Sequence, residues 1–382
     1  MKRTLFNAEH RDFRESFEAF LTKQVAPNFS RWEDDGAVPR ELFRLAGAAG
    51  FLAFEVPAEL GGAEVDDFRF NAVIGEVAHG AGYTGVAAGI TLHNDVCLPY
   101  FMEYCDDEQR RRWLPGIAAG ELITAIALTE PQTGSDLAGI ATRAERVDGG
   151  YLVNGSKTFI TNGINAELIV TAVRTDPGDR HGGLSLLVIP GDSDGFERGR
   201  NLEKIGMHSQ DTAELFFNDV FVPAANLLGS EGQGFLQLVS NLPRERLSIA
   251  IAAVAATEAI LAETIEYVKA RRAFGKSIGT FQNTRFVLAE VSAELELVRS
   301  YVDRCTAALG ERELTPEEAA IAKWWASELQ GRAIDRCLQL HGGYGYMLEY
   351  PVARAFMDAR VTRIYGGTTE VMKEIVGRSL GL

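Results

Sequence analysis

The chain has 382 residues, 46% hydrophobic and 24% charged, the make-up of a globular protein rather than a disordered or fibrous one. Its 53 Asp and Glu outweigh 38 Lys and Arg for a net charge of −15, and no basic block offsets them, which argues against nucleic acid as a partner. Cys97, Cys105, Cys305 and Cys337 form no CxxC pair and suit a reducing compartment, and the six histidines lack ligand spacing, so no metal site is expected.

The opening run Met1–Glu9 meets acid before any apolar stretch, so neither a secretory signal nor a transit peptide is expected, and the protein is read as cytoplasmic. From Asp12 to about Gly120 the spacing is helical. Phe13, Phe17, Phe20 and Leu21 share one face, and Leu42, Leu45 and Phe51 another. Breaks fall at Pro27, Pro39, Pro57 and Pro115. The small residues of Tyr83–Ile90 fit either a deep ligand pocket or tight helix packing.

The middle third changes period. Tyr151–Val153, Leu168–Val173, Leu184–Ile189 and Leu215–Phe217 are short apolar runs bounded by turn signals such as Asp148-Gly149-Gly150 and Gly182-Gly183. Without intervening helices they predict an antiparallel β domain. Ala127–Asp136 combines hydroxyls, glycine and proline, and such a loop either offers hydrogen bonds to a polar ligand or simply turns the chain. Asn154–Gly163 reads as a hairpin, with Phe159 and Thr161 lining different surfaces.

Beyond Pro243, helices are expected near Arg244–Arg272, Gln282–Leu309 and Pro316–Leu340. Val291, Leu295, Val298, Val302, Cys305 and Leu309 give the second an apolar stripe. Leu247–Ala262 is the most apolar segment, but Ser248, Thr257 and Glu258 interrupt it, so no membrane insertion is expected. Arg271–Lys276 reads as a helix end whose cations could also grip phosphate. Gln339–Tyr346 closes another helix, and Ile364–Glu370 ends in a threonine cap followed by acid. No GxGxxG follows a strand and no GxxxxGK[ST] occurs, which speaks against Rossmann and Walker sites. The fold class expected is α+β: an N-terminal helical domain (1–120), a middle antiparallel β domain (121–233) and a C-terminal four-helix bundle (234–382).

The order of these motifs resembles the acyl-CoA dehydrogenase family, across essentially the whole chain. The runs that carry the resemblance are T-E-P-x-x-G-S-D (129–136), N-G-x-K-x-x-I-T-N-G (154–163), R-x-x-F-G (271–275), H-G-G-x-G-Y (341–346) and Ile364-Tyr365-x-Gly367-Thr368. Pro243–Leu247 and Trp324–Gln330 bring it nearest the long-chain type. The resemblance implies non-covalent FAD, an acyl-CoA substrate, an electron-transfer flavoprotein as electron acceptor, and a homotetramer. It assigns the cofactor to Leu128, Thr129, Gly134 and Ser135 of the loop and to Phe159, Ile160 and Thr161. From the neighbouring subunit it adds Arg271, Phe274, Gln282, Gln339, Leu340, Gly342 and Gly343, and it has Thr368 and Glu370 touch the cofactor again. Gln132-Thr133 and Phe159 depart from the commoner Gly-Ala and Trp.

Dehydrogenation between Cα and Cβ needs a base for the α-proton and stabilisation of the developing enolate oxygen. Many family members carry that base in the I-Y-E-G-T run, but here the position is Gly366. The long-chain and isovaleryl types instead use a glutamate just before an arginine at the start of the first long C-terminal helix. Glu245-Arg246 matches. Read locally, Pro243 could open that helix and make Glu245 a first-turn acid; the glycine at 366 favours the catalytic role. Arg246, Tyr365, Gly366, Gly367 and Ser135 are then expected around the substrate. The activity expected is oxidation of a medium- or long-chain acyl-CoA to trans-2-enoyl-CoA. The alternatives are a branched, isovaleryl-type substrate and, from another class, an FAD-containing DNA-binding relative.

Overall fold

The computed structural model describes residues 3–382; Met1 and Lys2, which open the run read for targeting, lie outside the described residues. The first helix, α1 (Ala8–Phe20), starts where Asn7 takes the His10 amide at 3.2 Å while its own amide donates to the His10 ring. This reciprocal cap satisfies two otherwise orphaned groups. Next come α2 (Phe29–Asp35), α3 (Arg40–Ala48), α4 (Arg69–Gly80), α5 (Thr84–Thr91), α6 (Leu98–Tyr104) and α7 (Asp107–Ala118). Phe17, Phe20, Leu21, Leu42 and Phe51 are buried together as their spacing predicts; Leu45 turns outward.

A π-helical segment, Leu92–Cys97, joins α5 to α6. Pro99 has no amide hydrogen for the carbonyl four residues back, and the wider register just before it absorbs the lost bond. The small residues of α5 serve packing. A Cβ at Gly85 would sit 2.3 Å from Ser209 Oγ, and one at Gly89 would sit 3.2 Å from Asn162 Oδ1.

The β domain comprises β1 (Thr124–Ala127), β2 (Arg143–Val147), β3 (Gly150–Thr161), β4 (Leu168–Arg174), β5 (Leu184–Pro190), β6 (Phe196–Asn201), β7 (Thr212–Pro223) and β8 (Leu227–Leu228). They form one sheet in the order β6-β7-β3-β2-β4-β5-β8, with β1 beside β4. Most pairings are antiparallel as expected, but β1 and β2 each run parallel to β4. The β2–β3 hairpin lies between β1 and β4 in the chain, so β4 re-enters the sheet in the direction of β1.

Asn154–Gly163 is not a hairpin; β3 continues through it to Thr161, with two bulges, and Asn162-Gly163 turn the chain beyond its end. Asn154-Gly155 is instead a bulge opposite β7, where Asn154 and Asp219 exchange bonds of 2.8 and 3.0 Å. A Cβ at Gly155 would collide with Thr142, so the glycine answers a close strand approach and not a turn.

The C-terminal region contains α8 (Gly234–Ala270), a small hairpin of β9 (Arg272–Ala273) and β10 (Lys276–Ser277), then α9 (Gln282–Gly310), α10 (Pro316–His341), α11 (Pro351–Ala359) and α12 (Thr369–Ser379). Helices α8, α9 and α10 pack pairwise, α4 lies on α8, and α12 lies on α10. The α9 stripe faces inward through Val291, Leu295, Val302 and Cys305, with Val298 and Leu309 at its margin. At such positions Leu→Ala costs about 2–5 kcal/mol.

Helix α8 corrects the expected start of this helix. It begins at Gly234, so Pro243 lies inside it and Glu245 stands at the start of its fourth turn, away from the N-terminal dipole. At 37 residues α8 is also long and apolar enough to cross a membrane, but most of its apolar stretch is buried inside the protein.

Candidate active site

The fourth turn of α8 points Glu245 at α6, where the buried Tyr100 hydroxyl donates to Glu245 Oε1 at 3.0 Å. Burial pushes the Glu245 carboxyl up to about 7, against the opposing pull of the Tyr100 hydrogen bond and the Arg246 charge. A carboxyl poised near neutrality is suited to taking a proton and releasing it again.

Arg246 lies on the adjoining face. Its Nε donates to the Gly366 carbonyl at 3.4 Å, and Lys323 Nζ, buried on α10, donates to the Gly367 carbonyl at 2.6 Å. Two cations therefore pull the Gly366-Gly367 carbonyls toward α8 and α10. Burial, followed by the nearby Arg246 charge, lowers the Lys323 pKa to about 8. Both glycines have positive φ, 62° and 95°, and a Cβ at Gly366 would come within 2.4 Å of Ile249 Cδ1. The loop thus skirts the face of α8 that carries Glu245 and Ile249, one turn apart. Tyr365 precedes it, half-buried, its phenol pushed up by burial. Behind Glu245, the buried Asp95 accepts from Ser248 and Asn71, and Arg244 is paired with Glu55.

The loop Leu128–Asp136 is anchored from beneath. Buried Lys157 of β3 donates to Glu130 Oε1 at 2.8 Å and to the Leu128 carbonyl at 3.1 Å. Glu130 also collects the Ala141 and Thr142 amides at 2.8 and 2.9 Å. Burial pushes the Glu130 carboxyl up, but the Lys157 ammonium and these amides outweigh it and hold it below its ordinary value. The unusual Gln132-Thr133 pair adds two closures, Gln132 to Glu130 and Thr133 Oγ1 to the Asp136 carbonyl. Above this anchor Gly134 and Ser135 are exposed and Leu128 and Thr129 half-buried. Thr129 accepts the Thr158 amide at 2.9 Å, which ties the loop to the end of β3. There a bulge turns Phe159 outward, 67% exposed at φ 60°, beside buried Ile160 and half-buried Thr161.

A second cluster forms at the far end of α8. The Tyr267 hydroxyl donates to the His341 carbonyl at 3.1 Å with the rings stacked, and the Arg271 guanidinium lies 5.4 Å over the Tyr344 ring. This gathers Arg271 with the Gln339–Gly343 turn, where Gln339, Gly342 and Gly343 are exposed, Leu340 is half-buried, and Cβ positions at both glycines would be open. Phe274 is 94% exposed, near Phe281 and the exposed Gln282 that opens α9. Phe274-Gly275 is the turn of the β9–β10 hairpin, with φ of 51° and 80°, rather than the helix cap expected. Thr368 caps α12 as expected, accepting the Val371 amide at 3.4 Å, with exposed Glu370 in the first turn. The Glu370 carboxyl is lowered by its own backbone amide and then by Thr368.

The two clusters cannot meet within one chain. Leu128 and Leu137 share a core with Phe235 and Leu238, at the start of α8. Arg271 follows the last residue of that 37-residue helix, about 55 Å away at 1.5 Å per residue. A ligand spanning both needs a second copy of the chain.

Sequence reasoning missed Tyr100, Lys323 and the Lys157–Glu130 pair. Lys323 left a trace, since it interrupts an alanine face at Ala319, Ala322 and Ala326. Lys157 and Glu130 both stood in quoted motifs, but nothing local pairs them. Tyr100 left no local signal.

The chain matches the family models for the acyl-CoA dehydrogenase N-terminal domain over residues 7–121, the middle domain over 125–220 and the C-terminal domain over 232–381. It is 43% identical over 380 residues to the mitochondrial long-chain specific acyl-CoA dehydrogenase of Sus scrofa, covering 99% of this chain and 88% of that one. A crystal structure of acyl-CoA dehydrogenase from Geobacillus kaustophilus superimposes with a TM-score of 0.96 at 48% identity, covering 99% of each chain. A glutaryl-CoA dehydrogenase from Mycobacterium smegmatis in complex with FADH2 superimposes with a TM-score of 0.91 at 26% identity, covering 98% of this chain and 95% of that one.

Proposed function

Because this chain belongs to the acyl-CoA dehydrogenase family, a family of FAD-dependent oxidoreductases, we propose that it oxidises the Cα–Cβ bond of a medium- or long-chain acyl-CoA to the trans-2-enoyl-CoA, with Glu245 as the base. The observation that carries this reading is the buried Glu245 carboxyl, poised near 7 on the α8 face along which the Gly366-Gly367 loop runs. The loop that elsewhere in the family presents an acid here presents only backbone.

The residues fit FAD. Leu128, Thr129, Gly134, Ser135, Phe159, Ile160 and Thr161 offer amides, hydroxyls and an exposed ring on one chain. Arg271, Phe274, Gln282 and the open turn Gln339–Gly343 offer a cation and an unfilled cradle on a second. Thr368 and Glu370 are assigned to the same cofactor. When bound, FAD supplies the acceptor for the hydride that leaves Cβ.

Glu245 takes the α-proton, and Arg246 and Lys323 hold the Gly366-Gly367 backbone in place for the thioester oxygen. Tyr365 bounds the acyl group, and Ser135 is assigned to the pantetheine arm. The domain limits proposed are 1–120, 121–233 and 234–382. The distance between the two clusters supports a homo-oligomer, which we assign as a tetramer. Electrons are proposed to pass to an electron-transfer flavoprotein in the cytoplasm, in the β-oxidation of fatty acids. Likeness to a long-chain specific relative supports the substrate length.

Anaerobic bleaching of the flavin by a panel of straight and branched acyl-CoAs tests this reading. Straight chains of medium or long length should bleach fastest, and Glu245→Gln should slow the best of them about 10²–10⁴-fold with FAD retained. Fast bleaching by the variant would remove Glu245 as the base, and preference for a branched acyl group would overturn the substrate.

A further inference from the structure

The base has a partner on another helix. Tyr100 is fully buried, and its hydroxyl reaches Glu245 Oε1 at 3.0 Å across a sequence separation of 145 residues. One turn further along α6, Tyr104 and Ser240 are joined at 2.8 Å. The two ties hold α6 and α8 in antiparallel register, so the position of Tyr100 beside Glu245 is doubly fixed. The other groups around the carboxyl play different parts. Cys97 of the π-helical segment lies near it but is a buried thiol kept neutral. Arg246, on the same helix, is engaged with the Gly366 carbonyl, and Lys323 of α10 with Gly367. Asp95 accepts from Ser248 and Asn71, and Arg244 is taken by Glu55. Among the described residues, Tyr100 is thus the side chain with a direct hydrogen bond to the carboxylate.

Resting on the assignment of Glu245 as base, we infer that Tyr100 is its positioning residue: the hydroxyl occupies Oε1 and leaves Oε2 as the oxygen that accepts the substrate α-proton. The proton moves from Cα to Oε2. The electron pair it leaves becomes the Cα–Cβ π bond as the hydrogen on Cβ departs with its own pair to the cofactor. Burial keeps the phenol protonated, so it donates throughout the working pH range. A bond donated to the ionised form favours that form, so Tyr100 keeps the buried carboxylate available as a base at lower pH than burial alone would allow.

The test is the pH profile of anaerobic flavin reduction by a saturating straight-chain acyl-CoA, on the FAD-loaded enzyme. Tyr100→Phe keeps the ring and removes the donor. Its acid limb should move up by roughly one pH unit, a loss of about tenfold on that limb that disappears above about pH 9. Incorporating 3-fluorotyrosine at position 100 keeps the shape with a stronger donor, and its limb should move down. Opposite shifts support the inference and would not arise from a merely structural role. Unmoved limbs, or a loss independent of pH, overturn it. Glu245→Gln, run in parallel, separates the two levels. If it is slow at every pH while both Tyr100 limbs stay put, only the role of Tyr100 falls; if it is fast, the base assignment falls and takes this inference with it.

Discussion

Glu245 and Ile249 stand one turn apart on the same face of α8, and the second fills the space that a side chain at Gly366 would need. A carboxylate on the helix and a glycine in the facing loop are therefore two halves of one steric arrangement.

Moving the acid across is expected to recover little unless that space is cleared. In a Glu245→Gly background, Gly366→Glu places a Cβ 2.4 Å from Ile249 Cδ1, the movable end of that side chain, and a non-glycine residue at φ 62°, so flavin reduction should rise only slightly above background. Adding Ile249→Ala should recover on the order of tenfold, short of wild type because a displacement of about 1 Å alone costs about 10²-fold. Equal rates with and without Ile249→Ala would show that Ile249 is not the obstacle.

The Glu245 carboxyl should cost the fold stability. With a folded pKa of about 7 against 4.5 unfolded, Glu245 is protonated in the native state and ionised in the unfolded chain across that window. Its contribution is therefore complete below pH 4.5 and is lost as pH rises through 7, at about 1.4 kcal/mol per unit. Glu245→Gln should raise thermal stability at pH 8 by up to about 3 kcal/mol and change little at pH 4.5. Melting curves at the two pH values check this.

Lys157→Met strands the buried Glu130 carboxylate. Loss of one partner from such a pair costs about 3–5 kcal/mol, and the loop Leu128–Asp136 should loosen with it. Urea unfolding should report the loss, and weaker FAD retention should accompany it. Adding Glu130→Gln removes the unpaired charge but keeps an acceptor for only one of the Ala141 and Thr142 amides, which donate to different carboxylate oxygens, and should restore part of the stability.

Sharing of the cofactor site between chains can be read from hybrids. In a mixed oligomer of Glu245→Gln and Arg271→Ala chains, the site with an intact base borrows an intact Arg271 from its neighbour. Equal co-expression should regain roughly a quarter of wild-type sites by random pairing, at FAD levels where the Arg271→Ala enzyme is empty. No recovery would place Arg271 in the same site as its own Glu245.

Much of the helical architecture was legible because one apolar face is a local pattern. The α9 stripe and the Thr368 cap could be read from a few residues each. Strands β2 and β6 escaped because Arg-Ala-Glu-Arg-Val and Phe-Glu-Arg-Gly-Arg-Asn carry little apolar alternation; β2 buries only Ala144 fully. The start of α8 was misread because proline opens helices more often than it interrupts them, and here a 37-residue helix packed against the β domain and bundle tolerates it. At the candidate site, Glu245 could be singled out because Gly366 has no side chain, an argument from residue identity. Tyr100 and the Lys157–Glu130 pair depend on chain segments 145 and 27 residues apart meeting in space, which no local pattern encodes.

The π-helical turn at Leu92–Cys97 gives the contact between Tyr100 and Glu245 an evolutionary fragility. A π turn holds one residue more than the α-helix it interrupts, and each residue turns a helix by about 100°. Deleting a single codon there would only remove the bulged residue, but one further inserted residue that the turn did not absorb would swing Tyr100 off the carboxylate, while every residue of α8 stayed in place. On the proposed assignment, the pH at which Glu245 works can therefore be reset by an insertion in a different domain, without any substitution on α8.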